Sequence, residues 1–132
     1  MEWIVEYFQE ESGSTPGEIF ERTLDVSADR DVRGLLGPLL RWAQYAAEQG
    51  PTGAAGGHFE KCRTVEVWQL KASRGNRRGR WFFCWDEQNE RLVLLSGIVK
   101  EGRQATPPAA YVAAQNEWNR YKETRRVARE DA

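Results

Sequence analysis

Between Lys61 and Trp81 the chain carries seven basic residues and one acid, Glu66. Such a stretch suits a surface that faces anions; a solvated basic hairpin tip is the competing reading. Within it Lys71 and Arg80 stand out, and Lys100 and Arg103 follow further along. Arginine grips a phosphate in a two-pronged fork, and lysine adds a point charge. Arg77 and Arg78 are further cations suited to nucleic-acid phosphates. His58, the only histidine, is the side chain whose ordinary pKa best suits proton transfer near neutral pH. Tyr111 is a second candidate proton donor, with helix packing as its competing role. Phe82 or Trp81 could stack on a base, although core packing explains Trp81 better. Cys62 and Cys84 form no CxxC pair and have no spaced histidine partners, so a zinc site is not expected. Cys84 is expected to be an inert buried thiol.

These side chains must be positioned by the 132 residues of one domain, with residues 123–132 as a fraying tail. A hydrophobic content of 40% and six tryptophans can fill a compact core. Trp3 to Phe8 reads as a first strand, rich in β-branched and aromatic residues. Ser14 or Thr15 can cap a helix with Pro16 in its first turn and Ile19, Phe20 and Leu24 on one face. A second helix should start near Ser27 or Asp29, be kinked or split at Gly37-Pro38, and end at Gly50-Pro51. Residues 52–57 read as a glycine-rich loop. Three strands are expected near Thr64–Lys71, Arg80–Asp86 and Arg91–Val99, with a basic loop from Ser73 to Gly79 and a polar turn from Glu87 to Glu90. A last helix follows Pro107-Pro108. The order β-α-α-β-β-β-α predicts an α+β domain, a small antiparallel-rich sheet with the helices over one face.

The hairpin register follows from the apolar pattern. With Lys71 opposite Arg80, Leu70 meets Trp81 and Trp68 meets Phe83, all on one side. In the next hairpin Trp85 opposite Leu92 puts Phe83 against Leu94. Carried on unchanged, that register sets Gly97 beside Arg80 and leaves open space next to the guanidinium.

At these residues the chain resembles toxins of the RelE/ParE superfamily, in the HigB-like, phage-derived branch. That branch opens with W-x-V-x-x-F and a Gly-x-x-Pro helix start, here Trp3, Val5, Phe8 and Gly13 to Pro16. Its centre, L-[WY]-E-L-R followed by R-x-x-[FY], is matched by Val67 to Lys71 and Arg80 to Phe83. Its close is matched by Ile98 to Glu101, Thr106-Pro107 and the helix from Ala114 to Trp118. The chain departs from the pattern at Gln69, Lys71 and Glu101.

The resemblance implies a RelE-like fold and a type II toxin that cleaves mRNA on the ribosome. It implies no cofactor and no metal, because the RNA 2′-hydroxyl is itself the nucleophile. Arg80 would hold the phosphate, and Lys71, Lys100 and His58 would supply charge or move protons. Arg77, Arg78, Arg103 and Phe82 would bind the RNA. An antitoxin, usually of helix-turn-helix type, is the implied partner. A ParE-like gyrase inhibitor and a non-catalytic binding protein of phage origin stay open as alternatives on this fold. No apolar run is long enough to span a bilayer, and Met1 to Glu6 lacks the features of a signal peptide, so a cytoplasmic location is expected.

Overall fold

A computed structural model of the chain describes residues 2–51 and 58–128. The elements run β1 (Ile4–Tyr7), α1 (Pro16–Asp25), α2 (Arg30–Arg33), α3 (Leu36–Gln49), β2 (Phe59–Lys61), β3 (Trp68–Arg74), β4 (Arg77–Asp86), β5 (Arg91–Glu101) and α4 (Pro108–Thr124). The five strands form one mixed sheet in the order β1-β5-β4-β3-β2. β1 runs parallel to β5, and every other neighbour pair is antiparallel. The chain is α+β, as the pattern predicts. The glycine-rich loop expected at 52–57 lies outside the described residues.

Several expected boundaries move. The basic loop expected from Ser73 to Gly79 is mostly strand: Arg74 pairs with Arg77, so the turn is only Gly75 and Asn76. Gly75 has a φ of +54°, which a glycine adopts without steric cost. A short strand, β2, precedes β3 and was not foreseen. The helical break falls at Gly34-Leu35, before Gly37-Pro38. Pro38 therefore sits in the first turn of α3, where its missing N–H has no partner to lose.

The helices do not all cover one face. α1 and α3 pack on one side of the sheet, against Leu70, Trp81, Phe83, Trp85, Leu92 and Leu94. α4 packs on the other side, where Ala114, Trp118 and Tyr121 meet Phe82, Cys84, Val93 and Leu95. The pattern misleads here because β4 and β5 are apolar on both faces along their middle, as strands in a central layer are. On α1, Phe20 and Leu24 point inward, whereas Ile19 is exposed. Tyr121 anchors α4 from below: its hydroxyl donates to the buried Asp86 carboxylate at 2.5 Å. Asn89 donates to the same group, and with Arg125 nearby these partners hold Asp86 below the usual carboxylate range although burial pushes the other way.

The register between β3 and β4 is the one expected: Lys71 faces Arg80, Leu70 faces Trp81, and Trp68 faces Phe83. β4 and β5 begin as expected, with Trp85 opposite Leu92 and Phe83 opposite Leu94. The register then shifts by one. Trp81 pairs with Gly97 and Arg80 with Ile98, so two residues of β5, Leu95 and Ser96, stand opposite Phe82. This β-bulge overturns the expected gap beside Arg80. Gly97 lies on the α1 side, under the Phe20 ring, where an added Cβ would come within 2.5 Å of ring carbons. Phe20 is itself braced edge-on against Trp81, with ring centroids 5.4 Å apart. Gly97→Ala should therefore cost about 1–3 kcal/mol through overpacking, read as a drop in the urea midpoint without a change of slope. A neutral or stabilising Gly97→Ala would contradict the bulged register.

Candidate functional site

On the face that carries α4, Tyr111 near the start of that helix packs on Phe82 of β4, and β4 begins five residues earlier at Arg77. Arg78 and Arg80 point to this side of β4, two residues apart. Lys71 on β3 stands opposite Arg80, and Lys100 on β5 stands opposite Arg78. Like charges directly opposite each other in a sheet are destabilising. Here two such pairs lie side by side. Without the bulge Lys100 would pair with Arg77 and point to the other face.

The cations of the two faces are treated differently. Arg77, on the α1 side, donates to Asp29 at 2.9 Å and is also bridged to Glu101. Arg78, Arg80 and Lys100 have no carboxylate within 4.0 Å among the described residues. They donate instead to backbone carbonyls: Arg80 to Gly79 at 2.9 Å, Arg78 to Gly75 at 3.1 Å and Lys100 to Gln104 at 2.7 Å. Burial lowers the Arg80 pKa, and Arg78 adds to the effect against the opposing pull of Tyr111 and Glu60. Burial also lowers the Lys100 pKa, followed by repulsion from Arg80, Arg78 and Lys71. This is the electrostatic signature of a site that an anion would relieve.

Lys71 is partly neutralised, since its ammonium donates to Glu60 Oε1 at 3.0 Å. The Gln69 amide reaches the same oxygen at 3.3 Å. Glu60 therefore supplies a carboxylate at the edge of the cation cluster. Tyr111, near the start of α4, packs edge-on against Phe82 at 5.6 Å and acts on the charge of Arg80. A cavity of about 430 Å³ opens at the β3 edge, lined by Arg41 and Trp42 of α3, His58, Lys71, Arg78 and Arg80 among others. A larger cavity, about 580 Å³, lies beside β1, where Glu6 and Glu18 outnumber the single cation Arg91. Its charge does not suit an anion.

Of the candidates read from the sequence, Lys71, Arg78, Arg80 and Lys100 share one face, and His58 lines the same cavity as the first three. The His58 ring stacks flat on Trp42, with centroids 3.7 Å apart. Arg103 is exposed in the turn after β5, two residues beyond its end. Two assignments are corrected. Phe82 is fully buried beneath α4 and cannot stack on a base, because this face of the sheet carries a second core. Arg77 points to the opposite face and is held in ion pairs, so it does not belong to the cluster. Trp81 is core: it is fully buried, and its indole N–H donates to the Leu95 carbonyl at 2.8 Å. Cys84 is buried beside Val67, and burial pushes its thiol up to about 12. The sequence reading missed Glu60, Arg41 and Trp42. β2 is too short to show alternation, and the α3 residues reach the site only through tertiary packing.

No protein-family model matches the chain, and no curated protein matches it closely enough to name a relative. Among the described residues no helix is long and apolar enough to cross a membrane.

The depression of the Lys100 pKa has a direct consequence. Its ε-ammonium should lose its proton at lower pH than an unperturbed lysine, whose reference value is about 10.4. Arg78→Met should move the Lys100 titration upward, since it removes one of the cations that favour the neutral amine. Carbon-detected NMR of the lysine Cε resonances reads both. A Lys100 that titrates at the reference lysine value, and does not respond to Arg78→Met, would contradict the clustering of charge.

Proposed function

We propose that the chain is an RNA-cleaving toxin of the RelE-like kind, acting on mRNA at the ribosome and held in check by an antitoxin. The observation that carries this reading is the pair of adjacent like-charged partners, Lys71 with Arg80 and Arg78 with Lys100, on the partly open end of a sheet face. Such a pattern costs stability unless an anion offsets it; Glu60 does so only at Lys71, and an RNA phosphate is an anion of matching chemistry for the rest. The order of a first strand, N-terminal helices, an antiparallel meander and a C-terminal helix supports the RelE-like assignment as well.

The chemistry would run on the chain's own side chains. Arg80 and Arg78 grip the non-bridging phosphate oxygens and stabilise the charge that builds there. The Glu60 carboxylate, held by Lys71, accepts the proton of the 2′-hydroxyl as its oxygen bonds to phosphorus. The bond from phosphorus to the 5′-oxygen breaks, and Lys100, whose pKa is lowered, donates a proton to that leaving oxygen. The products are a 2′,3′-cyclic phosphate and a free 5′-hydroxyl.

Inducible expression in bacteria tests the proposal. The parent chain should arrest growth and generate RNA fragments ending in 2′,3′-cyclic phosphate. Arg80→Ala should lower the cleavage rate by about 10²–10³-fold, the usual loss when one donor to a developing charge is removed. No arrest from the parent, or equal cleavage by both chains, would overturn it. Arrest with DNA breaks and no new RNA ends would point to a gyrase poison instead.

A further inference from the structure

The cavity at the β3 edge combines two features that a bare phosphate site does not need. Its cations are Arg41, Lys71, Arg78 and Arg80, and its wall includes the half-buried Trp42. One face of the Trp42 indole is occupied by a flat heteroaromatic ring, the imidazole of His58, stacked at 3.7 Å with the planes 6° apart. His58 is exposed, and the Trp42 and Tyr45 rings pack at right angles with centroids 5.9 Å apart. The imidazole thus marks a platform that accepts a planar ring by stacking, next to a cluster of cations. β2 pairs with Trp68 to Leu70, and His58 is tied to the same edge of β3, where its carbonyl accepts the Lys71 N–H at 2.7 Å. A volume of about 430 Å³ is in the range of small-ligand cavities.

We infer that this cavity is a nucleotide subsite in which Trp42 stacks on the base in place of the His58 imidazole, while Arg78 and Arg80 hold the adjoining phosphate. The inference rests on the proposed nucleic-acid reading of the cation cluster, but it concerns binding and not cleavage. It makes Trp42 a determinant of substrate class: a single-stranded nucleotide with an accessible base is accepted, and a base locked in a duplex is not. It also gives His58 a role distinct from proton transfer, as the removable cover of the platform.

Titration of the full chain with AMP, ribose 5-phosphate and inorganic phosphate, followed by calorimetry or NMR, tests this. AMP should bind at least about fivefold tighter than ribose 5-phosphate, because only AMP gains a base stack. Trp42→Leu should remove that difference and leave inorganic phosphate binding unchanged. His58→Ala, a change at an exposed side chain that keeps the fold, should tighten AMP binding and leave ribose 5-phosphate unaffected. Equal affinity of the parent for AMP and ribose 5-phosphate overturns the subsite. So does weaker AMP binding by His58→Ala, which would mean that the imidazole and the base do not compete. A chain that binds AMP in this way but cuts no RNA would sink the proposed cleavage and leave the subsite standing.

Discussion

The β-bulge at Leu95 and Ser96 is the constraint on which the arrangement of this molecule depends. A strand alternates its side chains, so one extra residue exchanges the faces of everything after it. Upstream of the bulge, Leu92 and Leu94 feed the core under α1 and α3. Downstream, Gly97 takes the core side and makes room for Phe20, while Lys100 is carried to the side of Arg78 and Arg80. The bulge also frees backbone groups that must find partners. The Trp81 indole donates to the Leu95 carbonyl, and the Glu117 carboxylate accepts the Ser96 N–H at 2.8 Å. Glu117 is buried in α4 to do this, and burial raises its pKa despite the hydrogen bonds from Ser96. The helix that covers the second core is therefore the element that pins the bulge.

The two faces of β4 then divide the charge. On the α1 side Arg77 is matched by Asp29 and Glu101, a closed ion-pair group of the sort that links helices and strand ends. On the α4 side Arg78, Arg80 and Lys100 are left with backbone carbonyls as acceptors. Burial and mutual repulsion lower the pKa of Arg80 and Lys100, so the folded chain holds an unfavourable field over a small area. An anion that settles there would gain from the field and remove the repulsion. The Glu60–Lys71 pair at one edge is the one carboxylate contact in the cluster among the described residues, and it sets a base candidate near the cations.

Much of this was legible in the sequence, and the failures have physical causes. Alternating aromatics in Trp68 to Leu70 and Trp81 to Trp85 fix the β3–β4 register, and with it the meeting of Lys71 and Arg80. Lys100 could be named as a candidate, but its face could not be derived, because nothing local marks the bulge. Its supports, Trp81 and Glu117, come from a neighbouring strand and from a helix 21 residues away. Phe82 was misjudged for a related reason. Its face of the sheet was taken as the polar one, whereas α4 covers Phe82, Cys84, Val93 and Leu95 there as a second core. The parallel strand β1, the two-sided layering and the Trp42 platform are products of tertiary packing, which periodicity alone does not encode.

The central claim is that one face of β3, β4 and β5 forms a single phosphate-binding site. NMR chemical-shift mapping with a short single-stranded RNA whose 2′-hydroxyls are replaced by hydrogen reads this without cleavage. The largest shifts should fall together on the side chains of Lys71, Arg78, Arg80 and Lys100, and Arg77 should stay unmoved behind its ion pairs. Shifts centred on Arg91, Arg120 or α1, with the four-cation cluster silent, would contradict the account.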